Sequence, residues 1–423
     1  MRINLARLNH IFIPATKEGR DRIRQRLLVR SLRPLIWLYF ALSEEGRFLA
    51  ITSVLVGMIG VEIQSTSIYL LWCVMIAPLL VSLACRAPFS LLGRVQLDFR
   101  APRRIAVGEE LRVVLLLSST GDRAFDAIRV RGPMLPWDGV YTCPPPRDLP
   151  LDRGATCSVS LGIRFSERGE HHLDPFSAAA LVPFGLALGR SVESPSCRVM
   201  VVPKIANIRK IHIPRAERYQ PGGVAMASKT GESMDLLGVR PYRLGDPVRD
   251  LHARTSARRG FPHVREYQQE YFSRFGVILD THRGETPEVF EAAISLAAGV
   301  VAHLSRGEGL IDLLVCGGQL HPLTLGRSLG QLEQALDLLA CVHPGGRLDL
   351  EELLRGLSPF LERLSCIFLL WTTLDQPRLV FQDQLHRRLP CRALLVQPGE
   401  HPGSGSFAPV IADAVLRGEP LAL

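Results

Sequence analysis

Two uncharged apolar runs close together near the start of the chain restrict what it can become. Residues 48–61 (FLAITSVLVGMIGV) and 68–84 (IYLLWCVMIAPLLVSLA) contain no Asp, Glu, Lys or Arg, and read as helices they are apolar on every face. Such a helix belongs in the core of a large protein or in a bilayer. A spanning helix wants roughly 20 apolar residues and tolerates about 17, so the second run qualifies, and the first does so only if Glu62 and Gln64 reach the headgroups.

Charge placement favours the membrane over a pair of buried core helices. Arg20, Arg22, Arg24, Arg26, Arg30, Arg33 and Arg47 precede the runs, and Arg86, Arg94, Arg100, Arg103 and Arg104 follow them. The connector, residues 62–67, has neither lysine nor arginine. The positive-inside rule then puts both outer ends in the cytoplasm. The expectation is a transmembrane hairpin over residues 48–85, behind a basic segment over 1–47, with everything after Arg86 cytoplasmic. A cleaved signal peptide is not expected, because the first apolar run lies far from Met1 and no small-residue cleavage site precedes a plausible mature start. Residues 27–42 (LLVRSLRPLIWLYFAL) mix arginine with Trp37, Tyr39 and Phe40. They suit either a helix in the headgroup layer or an ordinary packed one.

The 423 residues have room for two or three domains. Nine cysteines are scattered without a CxxC pair and read as reduced thiols. The net charge of +9 is accounted for by arginines beside the hairpin and by those facing internal carboxylates, and no zinc-finger spacing or aromatic-interleaved basic patch argues for nucleic acid.

Beyond the hairpin, residues 93–205 show short alternating runs (VQLDF, LRVVLLLS, AIRVRG, CSVSLGIRF, CRVMVV) punctuated by Gly and Pro, the pattern of an antiparallel β-sandwich. The adjacent His171 and His172 point to opposite faces of a strand, which suits structure better than a shared metal. Residues 206–270 form a charged connecting region. Residues 271–423 then alternate strand and helix: FGVIL ending at Asp280, a helix over 287–304, LIDLLVC, helices over 329–339 and 350–364, CIFLLW and CRALLV. Continuous apolar strands imply a parallel, doubly wound sheet with helices on both faces. Sites in such sheets lie beyond the carboxyl ends of the strands, at Asp280 and at Thr372, Thr373 and Asp375.

Residues 238–266 (GVRPYRLGDPVRDLHARTSARRGFPHVRE) combine a turn over 244–247 with seven arginines. Arg254 and Arg258 share a helical face, and Asp246 and Asp250 are the carboxylates expected to hold Arg249, Arg254 and Arg258. Here the chain resembles a bacterial family, the proteins carrying domain of unknown function 58. The resemblance rests on Tyr242, Arg243, Leu244, Gly245 and Asp246, then Arg249, then Ser256, Ala257 and Arg258, then Val264, Arg265 and Glu266, together with Arg168-Gly169, Pro183-Phe184-Gly185-Leu186, Val202-Pro203 and the strand closing on Asp280. It implies a bacterial inner-membrane protein whose C-terminal α/β domain is von Willebrand A-like, working beside a MoxR-type AAA+ ATPase and a transglutaminase-like membrane protein. Two departures stand out. Ala253 occupies a position where related sequences usually carry tryptophan. The metal-ion-dependent adhesion pattern Asp-x-Ser-x-Ser reads Asp280, Thr281, His282, Arg283, Gly284. With both hydroxyl ligands gone and a cation beside the carboxylate, Mg2+ at Asp280 is not expected, and Asp280 is expected to pair with Arg283 or another nearby arginine.

No GxSxG, HExxH, Walker A loop or strand-following GxGxxG occurs, so no catalytic residue is assigned. The function expected is that of a non-catalytic, membrane-anchored adaptor. The alternatives are a cryptic envelope-associated hydrolase and a metal-binding adhesion-type domain.

Overall fold

The computed structural model describes residues 13–25, 31–59, 66–121, 123–213, 236–246, 248–267, 274–282, 284–306, 310–317, 319–325, 329–345, 350–361, 363–399 and 407–423. Arg283 and the connector residues Glu62 and Gln64 therefore lie outside the described residues. The chain divides into two units, Met1–Val202 and Pro203–Leu423.

The described residues of the first unit open with four helices, α1 (Lys17–Arg24), α2 (Arg33–Ala41), α3 (Glu44–Ile59) and α4 (Thr66–Ala84). Among the described residues two helices are long and apolar enough to cross a membrane, and burial separates them: 11% of Ser67–Ala84 is buried, against 78% of Pro287–Leu304. The first presents Leu70, Leu71, Val74, Leu80 and Val81 outward, with Leu79 turned inward, and Pro78 sits inside it. A lipid-facing surface has that composition, and bilayer helices tolerate an interior proline. Helix α3 packs beside α4, where Gly57 lets the Trp72 indole approach its backbone. In α2, Leu35, Trp37 and Phe40 are exposed.

Eleven described strands follow: β1 (Val95–Arg100), β2 (Arg104–Ala106), β3 (Glu110–Ser119), β4 (Phe125–Arg131), β5 (Gly139–Cys143), β6 (Leu149–Leu151), β7 (Thr156–Phe165), β8 (Gly169–Leu173), β9 (Ser177–Ala180), β10 (Val192–Glu193) and β11 (Cys197–Val202). They form antiparallel sheets in the orders β1-β3-β7-β5 and β10-β9-β4-β6, and a three-stranded sheet β2-β11-β8 in which the β2–β11 pair is parallel. Period-two alternation explains the layering. Leu111, Val113, Leu115 and Leu117 all point inward from β3 and meet Ile163, Leu161, Val159 and Cys157 of β7 across the ladder. Residues of all three sheets share one core, which includes Ile128, Phe165, Phe176 and Val199.

Helices and sheets of this unit are joined without a spacer. The turn Pro183–Gly185, with Phe184 at φ 70° and Gly185 at φ 71°, receives the Ser82 hydroxyl on the Pro183 carbonyl at 3.2 Å. The Ser43 N–H donates to the Leu186 carbonyl, the Leu188 N–H to that of Ala41, and Arg86 Nε to that of Leu188. Arg131 caps the end of α2 by donating to the carbonyls of Phe40 and Leu42. Burial lowers this guanidinium to about 10.

In the second unit β12 (Ile208–Lys210) pairs with β21 (Leu421–Ala422), so residues 206–213, read above as connecting region, are tied into the C-terminal unit. A hairpin β13 (Leu236–Pro241) and β14 (His263–Tyr267) brackets the short helix α5 (Ala253–Arg259). The main sheet contains β15 (Arg274–Asp280), β16 (Leu310–Gly317), β17 (Gln319–Leu325), β18 (Cys366–Trp371), β19 (Cys391–Gln397) and β20 (Ala408–Ile411), in the order β17-β16-β15-β18-β19-β20. The sheet is mixed and not wholly parallel as the strand pattern implies: β17 runs antiparallel to β16 at one edge. Pro322 lies in that strand, and an edge is where a residue without an N–H is tolerated.

Helices α6 (Pro287–Leu304), α7 (Leu329–Ala340), α8 (Leu350–Leu361), α9 (Gln376–His386) and α10 (Ala412–Arg417) complete the unit. Leu353, Leu357 and Leu361 of α8 and Phe381 and Leu385 of α9 pack on Ile278, Leu369 and Trp371, while α6 packs with α7, α10 and the strands. Every residue of β18 is buried, as a strand covered on both faces requires. Strand order reverses between β15 and β18, which places a crevice at the ends of those two strands.

Candidate functional site

Asp280 ends β15 in that crevice, and Thr372, Thr373 and Asp375 follow the end of β18 opposite. The structure brings all four together, with a residue that sequence reasoning did not single out. Arg378 lies in the first turn of α9, which Asp375 caps by accepting the Arg378 N–H at 3.1 Å, with Pro377 fixing the helix start. Its side chain turns back into the crevice. Nε and Nη2 each lie 2.9 Å from Asp280 Oδ2, and Nη1 lies 2.5 Å from Asp375 Oδ2. The indole of Trp371 lies 5.7 Å beneath the guanidinium.

Asp280 is 1% exposed and Arg378 6%. Burial pushes the Asp280 carboxyl upward, and the guanidinium and the His282 N–H, which donates to Oδ1 at 3.0 Å, pull against it. The neighbouring Cys316, opposite Asp280 in the ladder, is held protonated by burial, with the Asp280 charge adding to it, and offers no thiolate.

The described residues of the loop after Asp280 are held by hydrogen bonds. Thr281 Oγ1 donates to the Cys316 carbonyl, and the Thr281 carbonyl accepts from the Gly345 N–H. Thr372 Oγ1 donates to the His282 carbonyl at 2.8 Å, and His282 Nδ1 accepts from the Gly284 N–H and lies 3.0 Å from Thr373 Oγ1. Gly284 adopts φ 74° over Val289 and the Thr372 carbonyl, a conformation that suits glycine alone.

The described oxygens of this crevice offer no single point on which several of them converge. A hard divalent ion needs several oxygens converging on one point. Here the oxygens of Asp280 and Asp375 converge on a guanidinium, and the hydroxyls of Thr372 and Thr373 face His282. Among the described residues no group of three or more His, Cys, Asp or Glu side chains could hold a metal.

The signature region has a different internal order from the one its sequence suggests. Asp246 is held by Arg240, not by Arg249, Arg254 or Arg258: Nη1 and Nη2 of Arg240 lie 2.7 and 2.9 Å from its two oxygens, and the Arg243 N–H donates to it at 2.8 Å. These contacts hold the Asp246 carboxyl down at about 2. Gly245 at φ 104° closes the turn, and the Tyr242 N–H donates to the Pro262 carbonyl. Leu244 at its apex is fully exposed. Arg249 is exposed, with only Asp250 near it at 4.0 Å, and Arg254, Arg258 and Arg265 make no carboxylate pair among the described residues. Ser256 is a second tie: its hydroxyl accepts from the His263 N–H and donates to the His252 carbonyl. His252 Nδ1 in turn caps α5 at Thr255, directly before Ala253, and Ala257 lies within that helix. The backbone of Glu266 pairs with Gly238.

In the first unit His171 Nε2 lies 2.7 Å from Asp138 Oδ2, both groups being buried. His172 is buried near Asp174, and burial lowers its pKa.

No protein-family model and no curated protein matches the chain. Among solved structures it is similar to E. coli alpha-2-macroglobulin over 26% of this chain and 7% of that one, at 16% identity and a TM-score of 0.20. A FixG-related protein from Vibrio parahaemolyticus aligns over 26% and 96%, at 8% identity and 0.20. A GH20 exo-β-N-acetylglucosaminidase from Vibrio harveyi aligns over 75% and 78%, at 6% identity and 0.18. Likenesses at this level carry no assignment of fold or activity.

Proposed function

We propose that this chain is a membrane-anchored, non-catalytic adaptor of the domain of unknown function 58 kind. In this reading α3 and α4 form the transmembrane hairpin, both units lie on the cytoplasmic side of a bacterial inner membrane, the β unit is a sandwich, and the second unit is a von Willebrand A-like domain that has given up its ion. The observation that carries the reading is Arg378. In this reading its ion pairs with Asp280 and Asp375 supply, from within the chain, the positive charge that a divalent cation brings to the adhesion site, and the crevice face assembles without metal. A face of this kind suits constitutive docking of a protein partner, and a MoxR-type AAA+ ATPase is the partner the family resemblance implies, with a transglutaminase-like membrane protein as a further one. Thr281 and Thr372 give their hydroxyl protons to backbone carbonyls, and His282 Nδ1, 3.0 Å from the Thr373 hydroxyl, already accepts the Gly284 N–H, which disfavours a hydrolase.

The test is purification of the full chain from detergent-solubilised membranes, with magnesium and with chelator, followed by mass identification of what comes with it. Recovery of an AAA+ ATPase in equal amount under both conditions supports the reading. A partner retained only with magnesium overturns the metal-free crevice, and a chain found in the soluble fraction overturns the anchor.

A further inference from the structure

Just past the last residue of α4, the chain gathers arginines that form no ion pair among the described residues. Arg94 and Arg123 each donate from Nη1 to one carbonyl, that of Pro88, at 3.3 and 3.2 Å. Arg123 also lies 5.0 Å over the Phe89 ring. The Arg86 side chain donates to the Leu188 carbonyl, and the Leu91 N–H donates to the carbonyl of Arg190. Gly189 fits so closely against the Phe89 carbonyl that a Cβ there would collide with it, which locks residues 188–190 onto this loop. Among the described residues none of Arg86, Arg94, Arg123 and Arg190 forms an ion pair. Burial and the neighbouring Arg190 charge both lower the Arg86 guanidinium, a sign that like charges are crowded here.

Two features set the height of this cluster. It begins two residues after the end of a helix that is almost wholly unburied and apolar, and its Arg86 stacks 5.0 Å from the exposed indole of Trp37. Tyr39, on the same short helix, carries Arg47 at 3.7 Å. Indole and phenol rings beside guanidinium groups, at the end of an apolar helix, match the layer in which lipid phosphates lie.

We propose that Arg86, Arg94, Arg123 and Arg190 form a binding site for the headgroup of an anionic phospholipid, held at the end of α4 by the Pro88–Phe89 loop. This rests on the membrane reading above. The headgroup phosphate supplies the negative charge that no described carboxylate supplies, and the acyl chains run along α4. The Pro88 carbonyl fixes two guanidinium groups side by side, so that their remaining N–H groups face one phosphodiester.

The experiment uses the full chain in nanodiscs of phosphatidylcholine mixed with phosphatidylglycerol, counting by native mass spectrometry the lipids it retains. Wild type is expected to retain phosphatidylglycerol in excess of its share. Arg94→Gln, Arg123→Gln and Arg190→Gln are each expected to weaken that preference about fivefold, the weight of one basic residue at an anionic surface. Arg112→Gln, an exposed arginine of β3 beside Glu110, keeps it. Equal retention of the two lipids by wild type, or displacement of phosphatidylglycerol by inorganic phosphate, overturns the inference. An alkaline carbonate wash separates the two readings: a chain that stays with the membrane yet shows no headgroup preference fails only here, whereas a chain washed off fails as an anchored protein.

Discussion

Arg378 reaches Asp280 across a sequence separation of 98 residues and meets its Oδ2 with two nitrogens at once. Both groups are buried, so the pair is worth less as a source of net stability than as a commitment. Removing one partner strands a charge in the interior. Arg378→Met is therefore expected to destabilise the second unit by about 3–5 kcal/mol in denaturant unfolding, with Asp280→Asn/Arg378→Met losing clearly less than the sum of the two single changes.

Magnesium is expected to leave the Tm of the wild-type chain unchanged, because a ligand stabilises only by preferential binding to the folded form. A rise of several degrees at millimolar magnesium, absent with chelator, would show that the guanidinium yields its place to the ion.

Asp246 titrates at about 2 in the folded chain, against an ordinary value of 3.8. A depressed carboxyl contributes stability that is present above its unfolded pKa and lost as pH falls through its folded one. The turn at Leu244 is thus expected to be fully held above about pH 4 and to loosen progressively as the pH falls from there toward 2. Arg240→Met should return the Asp246 carboxyl, followed by NMR titration, most of the way to 3.8.

In the β unit, Leu115→Ala removes a fully buried side chain facing Val159. The expected loss is about 2–5 kcal/mol in thermal or denaturant unfolding, with no change at the crevice.

Gly46→Ala tests the joint between helix and sheet. A Cβ at this position would stand 1.8 Å from the Leu186 carbonyl oxygen, which the backbone cannot vacate cheaply. A cost of about 1–3 kcal/mol is expected, together with faster proteolysis near residues 183–188.

Much of this architecture is legible in the sequence because the signals are local. The apolar runs, the alternation of β3 and β7 and the continuous strands β15 and β18 each announce themselves within ten or twenty residues, and the strand-end rule leads directly to Asp280, Thr372 and Asp375. Arg378 is not legible. Its helix, QPRLVFQDQLH, mixes polar and apolar residues too evenly to show a stripe, and nothing local says that its guanidinium will turn toward a strand nearly a hundred residues earlier. Asp246 illustrates the same difficulty at short range. Several arginines flank it at similar separations, and the backbone register of β13 on β14 decides in favour of Arg240. The antiparallel β17 escaped for a different reason: Pro322 makes its sequence read as a break.

The joint at Leu186 carries a mechanical consequence. Helices α2 and α3 and the turn Pro183–Gly185 are fastened by backbone and arginine bonds with no spacer between them. A coupling this stiff transmits angle. Where the helix pair sits in a bilayer, the tilt it adopts to match a thinner or thicker hydrocarbon layer is passed to the β unit as rotation and not absorbed by slack. On the proposed membrane reading, bilayer thickness is thereby an input to the orientation of the β unit.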